Sequence, residues 1–534
     1  MNKKWYLLLI LLAVYSLNLG VRIYWLSQKN GFHVDEGMTI AISCYKDYII
    51  SKNYEYDREY SGKELKEISL VGNETFKGAF EDIKNLWKDN RDPPHTNLYY
   101  SLFRISLLGL NTTEIKPVVF RGGLLNLIFF TISFIFFFLL IKTLFPDSWL
   151  IQYSVVLCAF LSAAAISNTL FLRPYQIQET MFIVLCYYFI KTIDLKKNIF
   201  IKENVFAGKP LFLLPIFIGI TLLTGYYAVI FICLLGLYVI FIKCKEKKYL
   251  EIVFYFSVFA VGILIAFILY PKYFDGFTSY RGTETIRTIS ANISVNLTNS
   301  ITASFELIYR HLFNILAVII CIASTVYIII CRQKIIVNKH AVFIFIASLL
   351  YIIVTLILAP YKILRYGMAL YPFLLILPAI LLSSVIAKSR KIGIIAAALL
   401  CLSFLPAAST GKTIENIFKE KPDEYIFTKE KDIPVYIYMY YHEDWNYVGT
   451  WKYANLIPYL NDEQTYYFIK YFNDIYSAEH KEFYLVIENF RGLGNLDFSR
   501  FDILEEIKLT GGEVETDSIM GFYYLCKKVR LKSE

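Results

Sequence analysis

The sequence predicts a mainly α protein: a polytopic membrane bundle of about eleven transmembrane helices, with a large first outer loop and a C-terminal soluble α/β domain. Three observations predict it. Of the 534 residues, 56% are hydrophobic, a share that soluble chains of this length rarely reach. Apolar runs recur, each about 17–25 residues long, enough to cross a bilayer as helix. Basic residues crowd alternate short connections between those runs, as they do on the cytoplasmic side of membrane proteins.

The elements follow in order. The first run, 5–26, comes after Lys3 and Lys4. It is longer than a signal-peptide core and no small-x-small cleavage site closes it, so it reads as a retained helix. Further spans are expected near 117–141, 149–166, 176–193, 210–223, 225–242, 250–270, 311–331, 341–359, 367–387 and 391–408. Met1–Lys4 is basic, and four connections carry Lys196, Lys197, Lys202 and Lys209; Lys243, Lys245, Lys247 and Lys248; Arg332, Lys334 and Lys339; and Lys388, Arg390 and Lys391. With all of these cytoplasmic, the parity of the spans is consistent throughout. The outer side then receives 27–116, 167–175, the Thr224-Gly225 turn, 271–310, 360–366 and everything after 408. The net charge of +9 therefore describes the inner face and does not indicate nucleic-acid binding; 27–93 and 411–534 hold more acidic than basic residues. Residues 94–110 are apolar but short, and counting them as a span would invert every later loop. They read as a helix in the outer interface.

Two parts result, with no internal repeat. Residues 1–408 form the helical body, whose outer loop 27–116 holds interfacial helices. In that loop, Phe76, Phe80, Ile83 and Trp87 share one face of an amphipathic helix flanked by Lys77, Lys84 and Lys88. Residues 411–534 form the extracytoplasmic domain, with strand-like runs at Val435–Tyr441, Tyr466–Tyr471, Phe483–Ile487 and Gly521–Cys526. Nine cysteines show neither a metal-ligand spacing nor a CxxC pair. Cys44 and Cys526 fall in outer segments, where a disulfide between them is one reading. Sequons stand at Asn73, Asn111, Asn292 and Asn296 and matter only in a host with N-glycosylation.

The residues suited to chemistry fall on the outer side beside membrane edges: Asp35 and Glu36; Arg91-Asp92-Pro93-Pro94-His95; Arg173-Pro174-Tyr175; Lys272, Asp275, Arg281, Glu284 and Arg287; and Tyr361-Lys362-Ile363-Leu364-Arg365-Tyr366. Charges at such depth are costly unless paired or used. Each also has a plain structural reading. Asp35 or Glu36 suits a helix N-terminus, Asp92-Pro93-Pro94 suits a turn leading into a helix, and Arg173 and Arg365 can extend to headgroups. His33 and His95 are more often incidental than catalytic. Convergence of five groups on one face weighs against five separate structural explanations.

Read in order, these stretches resemble the GT-C membrane glycosyltransferases, in the branch of protein O-mannosyltransferases and lipid A aminoarabinose transferases. Val34-Asp35-Glu36-Gly37 is similar to that family's acidic motif, and Asp92-Pro93-Pro94-His95 with Leu98-Tyr99-Tyr100 to its His-Pro-Pro-Leu-Tyr-Tyr element. Phe120-Arg121-Gly122-Gly123-Leu124-Leu125, Leu172-Arg173-Pro174-Tyr175, and Arg365-Tyr366 with Leu370-Tyr371-Pro372 resemble its later motifs. One departure is clear: Asp92 stands where the family has histidine, so that histidine's role does not carry over, and His95 is a poor substitute.

The resemblance implies a glycosyltransferase in the plasma (inner) membrane, a hexosyl or pentosyl transferase that uses a polyprenyl-phosphate sugar and a glycan, lipid or protein acceptor. Asp35 would be the base in a single inverting displacement, and Glu36 would position the acceptor or tune Asp35. Arg365, with Lys362 and Arg173, would pair with the lipid phosphate. Tyr175, Tyr361, Tyr366, Asp92 and His95 would line the substrate channel. Asp35 and Arg365 must then open onto one cavity facing away from the cytosol. Enzymes of this kind admit a divalent metal, but the residues here specify no ligand set. The rival reading is a transporter or flippase of lipids or lipid-linked glycans, which would place its charges near the bilayer midplane, often between inverted repeats.

Overall fold

The computed structural model describes residues 3–46, 55, 58–70, 72, 75–90, 92, 95–110, 112–193, 209–274, 282–283, 286, 293–335, 338–359, 361–415, 417, 430–438, 456–469, 480–488, 513–520 and 524–530. The chain divides into two compact units. One comprises Met1–Ser27, Asp92–Tyr99 and Gly123–Ile417; the other comprises Gln28–Arg91, Tyr100–Gly122 and Phe418–Glu534.

The first unit is helical. Helix α1 is Lys3–Ser27. Later come α6 (Ile115–Leu144), whose first turns belong to the other unit, α7 (Trp149–Leu161), α8 (Ala163–Leu170), α9 (Tyr175–Ile193), α10 (Lys209–Leu222), α11 (Ala228–Lys245), α12 (Tyr249–Leu269), α13 (Ile293–His311), α14 (Ile315–Ile330), α15 (Lys339–Leu358), α16 (Ile376–Lys388) and α17 (Arg390–Thr410). Among the described residues, seven helices are long and apolar enough to cross a membrane, or nine if each of two bent pairs counts as one span. They overlie the apolar runs, because a residue surrounded by lipid or by other helices is apolar on every side.

Two departures from a straight-helix reading carry information. The run at 149–166 is not one rod. It bends by 54° between α7 and α8, where Ser162 accepts from the Ala165 amide and donates to the Ala159 carbonyl. Nη1 of the fully buried Arg22 reaches the Phe160 carbonyl at 2.9 Å, and its Nε reaches Thr169 Oγ1 at 2.9 Å. The guanidinium also lies 3.9 Å from the Phe130 ring centre. A polar chain continues from Thr169 to Gln176 and on to Glu179, which Asn168 also holds. Thus α1 binds the carbonyl exposed at the break, a group that apolar surroundings would otherwise leave unpaired. The second departure is α13, a helix of Asn, Thr and Ser mixed with apolar residues that lies within the expected outer loop 271–310 and meets α14 at 102°.

Close approaches use small residues. A Cβ on Gly123 would fall 2.8 Å from Leu26, so α1 and α6 touch there. Gly411 ends α17 with φ +68 and packs under Trp25, whose Nε1 donates to the Ala408 carbonyl at 2.8 Å.

The second unit holds α2 (Val34–Ser43), α3 (Gly62–Ser69), α4 (Phe76–Lys88), most of α5 (Leu98–Ser106) and a six-stranded sheet. The nine residues of α5 rise about 13 Å as helix, too short to cross a bilayer of about 30 Å. Helix α4 buries Gly78, Ala79 and Leu86 while Phe76 and Phe80 are exposed. The strands are β1 (Glu59–Ser61), β2 (Val435–Tyr438), β3 (Thr465–Ile469), β4 (Glu482–Glu488), β5 (Glu513–Met520) and β6 (Tyr524–Arg530), in the order β1-β3-β2-β4-β6-β5. β2 runs parallel to β3 and β4, and the other pairs are antiparallel. The sheet is therefore not built from the C-terminal segment alone: the segment expected to form the outer loop supplies β1, pairing Tyr60 with Tyr466. The considered disulfide does not form, since Cys44 is a free, buried thiol raised to about 11 by burial, against the opposing charge of Arg104.

Candidate active site

The sequence candidates are built in two places, one per unit. In the second unit, His33 is the N-cap of α2, with extended backbone (φ −66, ψ 152). Its Nδ1 accepts from the Asp35 amide at 3.1 Å, and the Glu36 carboxylate accepts from the His33 amide at 2.6 Å. This is a capping box with histidine in the place usually held by serine or threonine. The rest of the Glu36 carboxylate is occupied by Lys29, whose Nζ lies 2.8 and 2.9 Å from its two oxygens. Both side chains are fully buried. Burial holds the Lys29 ammonium below its usual range, opposed by the charge and hydrogen bonds of Glu36.

The adjacent carboxylates therefore differ in kind. Glu36 closes the helix start and neutralises a buried cation, whereas Asp35 keeps 13% of its side chain accessible, with Oδ2 3.6 Å from the His33 ring. Burial sets them apart: a carboxylate with two or three donors already in place has little left to offer an incoming group.

The first unit gathers the remaining candidates. Asp92 and Arg173 are buried, and His95 is partly exposed. His95 Nδ1 is 2.8 Å from Asp92 Oδ2, and Arg173 Nη2 is 3.4 Å from His95 Nε2 and 3.8 Å from the same Asp92 oxygen. The three form one cluster at the start of α9. Thr96, just after His95, donates to the Leu223 carbonyl and ties this strip to the end of α10. Tyr175 stacks on Phe171 at 5.7 Å.

Further along, Tyr366 meets Tyr227 edge-on at 6.2 Å, and Tyr361 is 46% exposed. Lys362 donates to the Leu356 and Ala359 carbonyls at the end of α15, and burial lowers its pKa. Its ammonium serves as a helix C-cap. Arg365 lies 5.6 Å from the Tyr366 ring centre and within electrostatic reach of Glu415. Glu415 was not among the sequence candidates. Its amide donates to Ser167 Oγ at 2.8 Å, and its Oε1 is 3.4 Å from His311 Nε2. Partial burial raises the Glu415 carboxyl, 47% of whose side chain stays accessible, above its usual range, opposed by Arg310 and Arg365.

The structure thus brings Asp92, His95 and Arg173 together, and Arg365 with Glu415. Asp35 and Glu36 belong to the other unit. Arg91, Pro93, Pro94, Asp275, Arg281, Glu284 and Arg287 lie outside the described residues, as do Asn73, Asn111 and Asn292. Sequence reasoning missed Lys29, Glu415 and the Arg22–Glu179 chain, and set His33 aside as incidental. Two of these had a signal: His33 stands at the N-cap distance from Glu36, and Glu415 is the first acid after the last apolar run. Among the described residues, no three His, Cys, Asp or Glu side chains are placed to hold a metal ion.

No family model matches the chain, and no curated protein matches it. Solved structures do. ArnT from Cupriavidus metallidurans bound to undecaprenyl phosphate aligns with a TM-score of 0.52 at 10% identity, covering 99% of this chain and 98% of that one. ArnT of the same organism in the apo state aligns at 0.51 and 9%, covering 97% of each. ArnT is a lipid A aminoarabinose transferase of GT-C fold, and the likeness over nearly the whole length shows that this chain has that fold.

Proposed function

We propose that the protein is an integral membrane glycosyltransferase that moves a sugar from a polyprenyl phosphate to an acceptor on the extracytoplasmic face. The observation that carries this reading is the end-to-end likeness to a fold seen with undecaprenyl phosphate bound. In the same reading the chain lies in the plasma membrane with eleven spans, its N-terminus cytoplasmic and residues 411–534 outside.

The chemistry needs a base for the acceptor hydroxyl and cations for the departing phosphate. Asp35 takes the first role. It is the accessible member of its pair and stands in the first turn of α2, where a helix N-terminus suits a carboxylate. The acceptor oxygen attacks the anomeric carbon, its proton passes to Asp35, and the configuration inverts in one step. Arg365 holds the phosphate. Lys362 supports the loop as a cap, and Arg173 acts through Asp92 and His95, with Tyr175, Tyr361 and Tyr366 along the path of the sugar or lipid. Glu36 serves the fold of α2, so the acceptor-positioning role passes to Asp35 and its surroundings.

The test is transfer in proteoliposomes from defined polyprenyl-phosphate monosaccharides to a membrane extract. Asp35→Asn is expected to abolish transfer with the same melting midpoint as the parent. A variant that still transfers would remove Asp35 as the base. Movement of the donor between leaflets without transfer would establish a flippase instead.

A further inference from the structure

His311 and Glu415 meet in a way that constrains where a proton must be. His311 is buried at the end of α13, and its Nδ1 lies 3.0 Å from the Thr413 carbonyl. A carbonyl oxygen only accepts, so Nδ1 carries a hydrogen. The other nitrogen, Nε2, has no hydrogen-bond partner among the described residues and faces Glu415 Oε1 at 3.4 Å. A neutral imidazole protonated on Nδ1 would turn a lone pair toward a carboxylate there, which is repulsive. One proton between the two removes the conflict, either as imidazolium with carboxylate or as imidazole with carboxylic acid.

The surroundings direct this proton. Arg310 and Arg365 lie within electrostatic reach of Glu415 and favour its ionised form, while its partial burial, with 47% of the side chain accessible, favours the neutral one. The hydroxyl of Tyr371 is buried, has no hydrogen-bond partner among the described residues, and lies within electrostatic reach of Glu415. Ser167 of α8 holds the Glu415 amide in place. An exchangeable proton thus sits within electrostatic reach of the arginine that the proposed function gives to the donor phosphate.

We propose that the His311–Glu415 pair is the general acid of the transfer, delivering its proton to the phosphate oxygen that leaves the sugar. The bond between the anomeric carbon and that oxygen breaks, and its electrons go to the oxygen, which takes the shared proton. The acceptor's proton goes to Asp35. The departing lipid is a phosphate monoanion, the same charge the donor brought, so Arg365 never faces a dianion at the membrane edge. Solvent then returns a proton to the pair and removes one from Asp35. This inference rests on the reading of Arg365 as the phosphate partner.

The experiment compares the undecaprenyl-phosphate sugar with its phosphorothioate analogue, whose departing group is a weaker base and needs an acid less. Glu415→Gln is expected to lower kcat about 100-fold on the natural donor, the usual scale of general acid catalysis. Much less should be lost on the analogue, with the donor KM unchanged. The parent's kcat should fall as pH rises through the pair's titration, and the variant should lack that limb. His311→Gln should reproduce both effects, and melting midpoints identify any variant that fails to fold. Equal losses on both donors, or a loss confined to KM, would overturn the proposal. Arg365→Gln separates the two levels: if donor KM does not rise there, the phosphate assignment itself fails, whatever Glu415→Gln does.

Discussion

Glu36→Gln isolates what the buried carboxylate of the Asp-Glu pair contributes. The amide oxygen of glutamine can still accept from the His33 amide, now bonded at 2.6 Å, so the capping box survives. The partner it cannot replace is Lys29, held at 2.8 and 2.9 Å with no exposure on either side. Removing one member of a buried ion pair costs about 3–5 kcal/mol. Lys29 is already held below its usual pKa by burial and can lose its proton, which favours the lower end, about 3 kcal/mol. At about 2–4 °C per kcal/mol for a domain of 150–250 residues, the midpoint should fall by roughly 6–12 °C. The assay is thermal unfolding in detergent, followed by fluorescence, with transfer measured per folded molecule below the transition. Turnover should persist. The double variant Lys29→Met with Glu36→Gln removes the stranded cation and should recover most of the loss. The reasoning is refuted if the double variant melts as low as the sum of the single ones. It is equally refuted if Glu36→Gln melts like the parent yet transfers nothing.

Three further outcomes follow from the geometry. Gly411→Ala places a Cβ 2.4 Å from the Trp25 ring at φ +68; the left-handed backbone alone costs about 1–2 kcal/mol, so the melting midpoint should drop by several degrees. Arg22→Met leaves the Phe160 carbonyl without its donor and Glu179 without its nearby cation; a stability loss of about 1–3 kcal/mol is expected in the same melts, and an unchanged midpoint would show that the break is held by other contacts. The raised Glu415 carboxyl makes the folded state the stronger proton binder, so its contribution is fully present below the ordinary value of 4.5 and is lost as pH rises through the higher folded value. Midpoints of Glu415→Gln should therefore decline less with rising pH than those of the parent.

The helical body was legible because lipid and packed helices ask the same thing of a side chain. Runs such as 117–141 and 250–270 are predominantly apolar, and α6 and α12 lie on them. Elements governed by contacts with partners were not. Ser162 breaks a run that composition alone joins, since one serine in an apolar stretch carries no sign of a bend. Helix α13 mixes Asn, Thr and Ser with apolar residues and offers no unbroken run. β5 reads Glu-Val-Glu-Thr-Asp-Ser, and its place is set by pairing with β6; β1 has only three residues and exists through β3. At the candidate site the motif residues Asp35, Asp92, His95, Arg173 and Arg365 were visible in sequence as charges beside apolar runs. Their partners were not, because Lys29 and Glu415 acquire meaning only from what they touch.

The guanidinium of Arg22 also bears on how such a protein is made. Its acceptors on Phe160 and Thr169 are 138 and 147 residues downstream, so α1 leaves the ribosome long before they exist. Arg22 lies near the C-terminal end of α1, from where a long side chain can reach interfacial water. The newborn helix can wait in the bilayer with its charge hydrated and surrender that water only when α7 and α8 arrive. Docking is then a late event in biogenesis, and a chain truncated before residue 160 should leave α1 inserted but unmoored.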